Sequence, residues 1–141
     1  MPRLIGRWRR LDREQRLLLA EAAGALLRAS AMLRLRPFKR AIRFGSIPLG
    51  TAVGRAGIVD DCAWAVRACA RWLPWRLVCI QNGLAVQRML RKRGVDAVLR
   101  YGIATNRAPG KLEAHVWVTV CDRAVIGGEE AKDFAPVAAY P

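Results

Sequence analysis

Acidic residues are scarce in this chain of 141 residues: 11 Asp and Glu face 25 Lys and Arg, for a formal net charge of +14. Histidine is scarcer still. His115 stands alone, which excludes the common zinc patterns built on two or more histidines. The four cysteines, Cys62, Cys69, Cys79 and Cys121, contain no C-x-x-C spacing, so no metal site is expected and most of them read as small buried hydrophobes. No uncharged run approaches the roughly 18 residues that a membrane span needs. No secretory signal precedes the cysteines. The basic start leads into an apolar stretch interrupted by Asp12, Glu14, Arg16, Glu21 and Arg28. A cytoplasmic protein with reduced thiols is therefore expected. Internal repeats and low-complexity segments are also missing.

What is present can fold. Hydrophobic residues make up 53% of the chain, enough at this length for a core and too many for disorder. The basic excess is uneven: residues 1–43 hold 12 basic and 3 acidic residues, against 13 and 8 in residues 44–141. Such a surface suits an acidic partner, nucleic acid or an anionic membrane, and charge alone does not choose among them. Arg-rich coding in a GC-rich genome would give the same excess.

Residues 11–35 read as one helix. Leu11, Leu18, Ala22, Ala25, Ala29 and Met32 recur at helical spacing. Leu17, Leu19, Leu26, Leu27 and Leu33 widen the stripe beyond one face, so the core, a partner protein or a membrane surface must cover it. Pro37 ends it. Residues 44–58 carry Gly45, Pro48, Gly50, Gly54 and Gly57 and read as a linker. The chain then divides into a basic, apolar helical extension, residues 1–43, and a second unit, residues 44–141. Asp60 or Asp61 is expected to cap a helix that runs to about Trp72 and breaks at Pro74. A third helix is expected from Cys79 to Arg93, with Gly94 as its stop and Arg88, Arg91, Lys92 and Arg93 near its negative end. The period then falls to two. Residues 95–103 and 113–120 read as strands, with His115, Trp117 and Thr119 on one face of the second and Ala114, Val116, Val118 and Val120 on the other. Cys121, Asp122 and Arg123 form a tight turn into a short strand, residues 124–126, and the tail past Gly127-Gly128 carries weak signals. Helices followed by a small antiparallel sheet argue an α+β fold.

Two residues carry chemistry. Cys79 falls where a Pro-containing loop meets a helix, and a helix N-terminus favours a thiolate and offers N–H groups to an oxyanion. His115 sits in a strand, 36 residues later. A lone strand histidine is commonly structural, but a cysteine opening a helix ahead of a histidine-bearing sheet is the arrangement that cysteine acyl transfer needs. Backbone N–H groups of Cys79 and Ile80, with Gln81, are the candidate oxyanion donors. Trp72, Trp75 and Trp117 are candidate groove residues.

The run CIQNGLAVQRMLRKRGVDAVLRYGI, followed by EAHVWVTV and VIGGEE, resembles the lasso-peptide leader peptidases, transglutaminase-like cysteine peptidases that form the protease half of the lasso biosynthesis B protein. The resemblance covers roughly residues 58–135. It implies a papain/transglutaminase-like core without a cofactor, with Cys79 as nucleophile and His115 as base. It implies a third member as well, an aspartate on the strand after the histidine. That strand here reads Ala124-Val125-Ile126-Gly127-Gly128, with no acid. Asp122 is the nearest candidate, and Glu129 and Glu130 follow the strand. The implied substrate is a ribosomally made lasso precursor whose leader is removed before an asparagine-synthetase-like cyclase closes the ring. The chain has no room for the winged-helix leader-recognition domain that some members carry, which implies a separate recognition protein. Residues 1–43 are then a docking surface for that protein or the cyclase, and peripheral membrane contact is a further expectation for them. Two rivals stand beside this reading: amine transfer by the same pair, as in a transglutaminase, and a basic nucleic-acid-binding module, for which the charge speaks but no motif does.

Overall fold

The computed structural model describes residues 9–51, 56–73, 79–104 and 113–141. Helix α1 (Arg13–Leu35) starts at a capping box, in which the Asp12 carboxylate accepts from the Gln15 N–H and the Gln15 side chain accepts from the Asp12 N–H. Pro37, one residue past the C-cap Arg36, keeps the helix from continuing, and a single turn, α2 (Phe38–Ala41), follows. Helix α3 (Ile58–Trp72) begins after Gly57 in a left-handed conformation (φ 83°), so Gly57 is its N-cap. Asp60 and Asp61 lie inside the first turn, where they complement the helix dipole instead of capping it. Helix α4 (Cys79–Lys92) ends at Gly94 (φ 78°), where the Val95 N–H reaches back to the Leu90 carbonyl.

The sheet contains β1 (Ala97–Ala104), β2 (Glu113–Val120), β3 (Arg123–Ile126) and β4 (Ala135–Tyr140), in the order β3-β2-β1-β4 and antiparallel throughout. One more turn of helix, α5 (Gly128–Ala131), joins β3 to β4. Cys121 and Asp122 both have positive φ, 49° and 62°, the two-residue turn whose twist matches a hairpin.

Helices α1, α3 and α4 pack on one another, and α4, with α3 against β3, packs on the sheet. Leu18, Ala22, Ala25, Leu26 and Ala29 of α1 are buried with Cys62, Ala65 and Val66 of α3 and with Leu84, Ala85, Met89 and Leu90 of α4. The apolar face of α1 is therefore covered mainly by the chain's own core. Close approach of α4 to the sheet depends on Gly83. A Cβ there would lie 2.9 Å from Leu99 and 3.0 Å from Val116. Beyond α2, the chain is pinned to α4: Arg88 donates to the Phe44 carbonyl and stacks on its ring, Arg91 donates to the Ile47 carbonyl, and the Gly50 N–H donates to the Arg91 carbonyl. The described residues include no helix long and apolar enough to cross a membrane.

Candidate active site

His115 is the third residue of β2 and lies opposite Gly102 of β1. The absence of a side chain at Gly102 makes room for the Trp117 ring, which comes within 2.8 Å of where a Cβ would stand. Trp117 in turn stacks on the His115 ring at 6.0 Å between centroids, and Phe134 packs against that ring at 5.1 Å. Held this way, His115 is only 4% exposed.

Both ring nitrogens have neighbours. Nε2 lies 2.8 Å from the Gly127 carbonyl oxygen. A carbonyl only accepts, so Nε2 carries a proton and Nδ1 is the basic nitrogen of the neutral ring. Nδ1 lies 3.6 Å from Oε2 of Glu130, whose side chain is 74% exposed on α5. Gly127 reaches the ring because its backbone adopts φ 74° immediately after β3. A Cβ at that position would sit 2.8 Å from the Val116 carbonyl and 3.3 Å from His115 Nε2. The strand after the histidine, where the resemblance places an acid, thus supplies a backbone carbonyl to Nε2.

Cys79 is the first residue of α4 as described, half-buried and packed against the core. It lies one helical turn before Gly83 and so shares its face, the face that meets Leu99, Val116 and Val118. Val116 is the chain neighbour of His115 but points to the other face of β2, so α4 packs on the sheet face opposite the one that carries the His115 and Trp117 rings. Among the described residues no hydrogen bond joins Cys79 to His115. Asn82 Oδ1, also near the start of α4, is buried and has no hydrogen-bond partner among the described residues.

The other expected site residues are dispersed. Asp122 occupies the β2–β3 turn, 95% exposed and paired with Arg100 at 3.5 Å. The five residue steps from His115 to Val120 alone separate it from the histidine by about 17 Å of strand, so Asp122 does not orient His115. The Gln81 side chain is buried and donates to Ser30 Oγ of α1 at 3.1 Å, so it ties two helices together. Ile80 is half-buried against the core, and Trp117 walls the histidine. Trp72 is 60% exposed, and Trp75 lies outside the described residues. Among the remaining cysteines, Cys62 is buried, and Cys69 donates to the Leu19 carbonyl at 3.2 Å, with its thiol pushed up by burial. The described residues hold no cluster of three metal-ligating side chains. The Gly127 carbonyl and Phe134 were not anticipated. The one signal in the sequence was a Gly-Gly pair directly after a strand.

A family model described as transglutaminase-like superfamily matches residues 22–139 of the chain. No curated protein and no solved structure matches it.

Proposed function

The chain belongs to the transglutaminase-like superfamily, whose members are typically cysteine peptidases or acyltransferases, and from that premise we propose a peptidase that acts through Cys79 and His115. The observation that supports this most is the fixed tautomer of His115, with Nε2–H held by the Gly127 carbonyl and Nδ1 left basic. In the proposed reaction, Nδ1 takes the Cys79 thiol proton and the thiolate attacks the scissile carbonyl carbon. The oxyanion is stabilised by N–H groups at the start of α4, from Cys79 and Ile80. As the intermediate collapses, the C–N bond breaks, Nδ1–H protonates the leaving amine, and a thioester remains on Cys79. His115 then deprotonates a water, which attacks the thioester and frees the thiol.

The substrate in this reading is the leader of a ribosomally made lasso precursor, delivered by a separate winged-helix recognition protein and passed on to an asparagine-synthetase-like cyclase. Support for this comes from the runs around Cys79 and His115 quoted above. Mass spectrometry of a lasso precursor incubated with the protein and a leader-recognition partner tests it. We expect a single cut at the leader–core junction that Cys79→Ala abolishes; full cleavage by Cys79→Ala would refute the mechanism. The breadth of the superfamily also supports amine transfer by the same pair. Adding a primary amine and finding only hydrolysed product excludes that.

A further inference from the structure

Between Glu21 and Asp60 the chain contains no acidic residue. Its described basic residues in that interval, Arg28, Arg34, Arg36, Lys39, Arg40 and Arg43, are all exposed. Arg28 lies close enough to Glu21 and Arg88 for its charge to be felt by both. Among and beside the others in the chain, the core leaves apolar side chains bare: Leu27, Leu35 and Phe38 are 48%, 80% and 49% exposed, Phe38 with its ring edge-on to Tyr101. Leu27, Ala31 and Leu35 follow at four-residue spacing, so they form one ridge on α1. With Ser30 and Arg34 they line a groove of about 290 Å³. Among the described residues no ion pair engages Arg34, Arg36, Lys39 or Arg40.

We propose that this face docks an acidic amphipathic helix of a partner protein, with apolar side chains in the groove and carboxylates on Arg34, Arg36, Lys39 and Arg40. Charge complementarity selects the partner, because guanidinium groups pair with carboxylates in a two-pronged geometry and no acid of this surface competes for them. The leucines select against nucleic acid, since they offer nothing to a phosphate backbone. A groove lined partly by Ser30 and Arg34 accepts a ridge of side chains, whereas a bilayer rewards a convex apolar face. Residues 1–11 of the chain contain no acid and so cannot supply the carboxylates. The proposal stands apart from the Cys79 chemistry.

The test titrates the full chain into a fluorescein-labelled designed helical peptide, with leucines every fourth residue flanked by glutamates, and reads anisotropy. Arg34→Glu and Leu35→Ala should each weaken binding about tenfold. Arg13→Glu changes the charge as Arg34→Glu does, but about 30 Å away along α1, and should leave affinity within about twofold. Circular dichroism of each variant checks the fold. Equal weakening by Arg13→Glu, or no binding of the peptide, overturns the proposal. So does tighter, Leu35-dependent binding to phosphatidylserine vesicles or to a DNA duplex. Self-association in sedimentation velocity that Arg34→Glu abolishes would assign the face to a second copy and overturn it as well.

Discussion

At the scale of single residues, His115 owes its state to atoms that have no side-chain identity. The Gly127 carbonyl fixes the proton on Nε2, and the left-handed backbone of Gly127 brings that carbonyl to the ring. Cys79 and His115 stood out in the sequence because each is a rare residue type at a change of period, helix start in one case and strand in the other. The carbonyl was illegible because any residue supplies one, and only the turn after β3 aims it. Glu130 was visible only as an acid past the strand; the turn of α5 carries it to Nδ1. Gly127→Ala should cost about 1–3 kcal/mol for a non-glycine residue in the left-handed region. The Val116 carbonyl, 2.8 Å from the added Cβ, pushes the cost toward the upper end. Urea denaturation measures it, and an unchanged midpoint would contradict the role given to Gly127.

At the scale of elements, α1, α3, α4 and β2 were readable because each carries an apolar period of its own and a stop signal, such as Pro37 or Gly94. Strand β4 was not. Ala135, Pro136 and Val137 are exposed and do not alternate, and the strand holds by backbone pairing to β1 across a bulge. Its end is fixed by a side chain from another element: Gln87, fully buried on α4, donates to the Tyr140 carbonyl at 2.6 Å. The glycine-rich stretch that reads as a linker is, from Phe44 to Gly50, a strap across the C-terminal half of α4. Gly50 is needed there because a Cβ would stand 2.0 Å from the Lys92 carbonyl oxygen, closer than any real contact. Gly50→Ala therefore has to displace the strap and lose the bond from its N–H to Arg91, a destabilisation of about 2–3 kcal/mol. Thermal unfolding should show a clear drop in midpoint, and a midpoint equal to the parent's would mean that the strap is not held in this way.

At the scale of the whole molecule, α1 is built into the core that supports the site, and its basic face is turned outward. The tie between α1 and the far end of α4 is the Glu21–Arg93 pair, with contacts of 2.8 and 2.5 Å. The Arg93 hydrogen bonds hold the Glu21 carboxyl below the usual carboxylate range, against the opposing effect of burial. A carboxylate depressed in the folded state stabilises at neutral pH and loses that contribution as pH falls through the lowered value. Glu21→Gln should thus cost about 1–2 kcal/mol at pH 7, a figure kept small because both side chains remain about a quarter exposed. The difference between parent and variant should shrink as the pH falls below the ordinary carboxylate range. A constant difference down to about pH 3 would contradict the assignment.

The fold class was legible because helices precede strands in the chain, and the family match over residues 22–139 agrees with it. The pairing of Cys79 with His115 is the part on which the function turns. Iodoacetamide alkylation followed by peptide mapping tests it without any knowledge of the substrate. If His115 takes the Cys79 proton, Cys79 should react at pH 6 about tenfold faster than the exposed Cys121, despite being half-buried, and His115→Ala should remove that advantage. Alkylation of Cys79 no faster than Cys121, or unchanged by His115→Ala, would contradict the nucleophile–base pair.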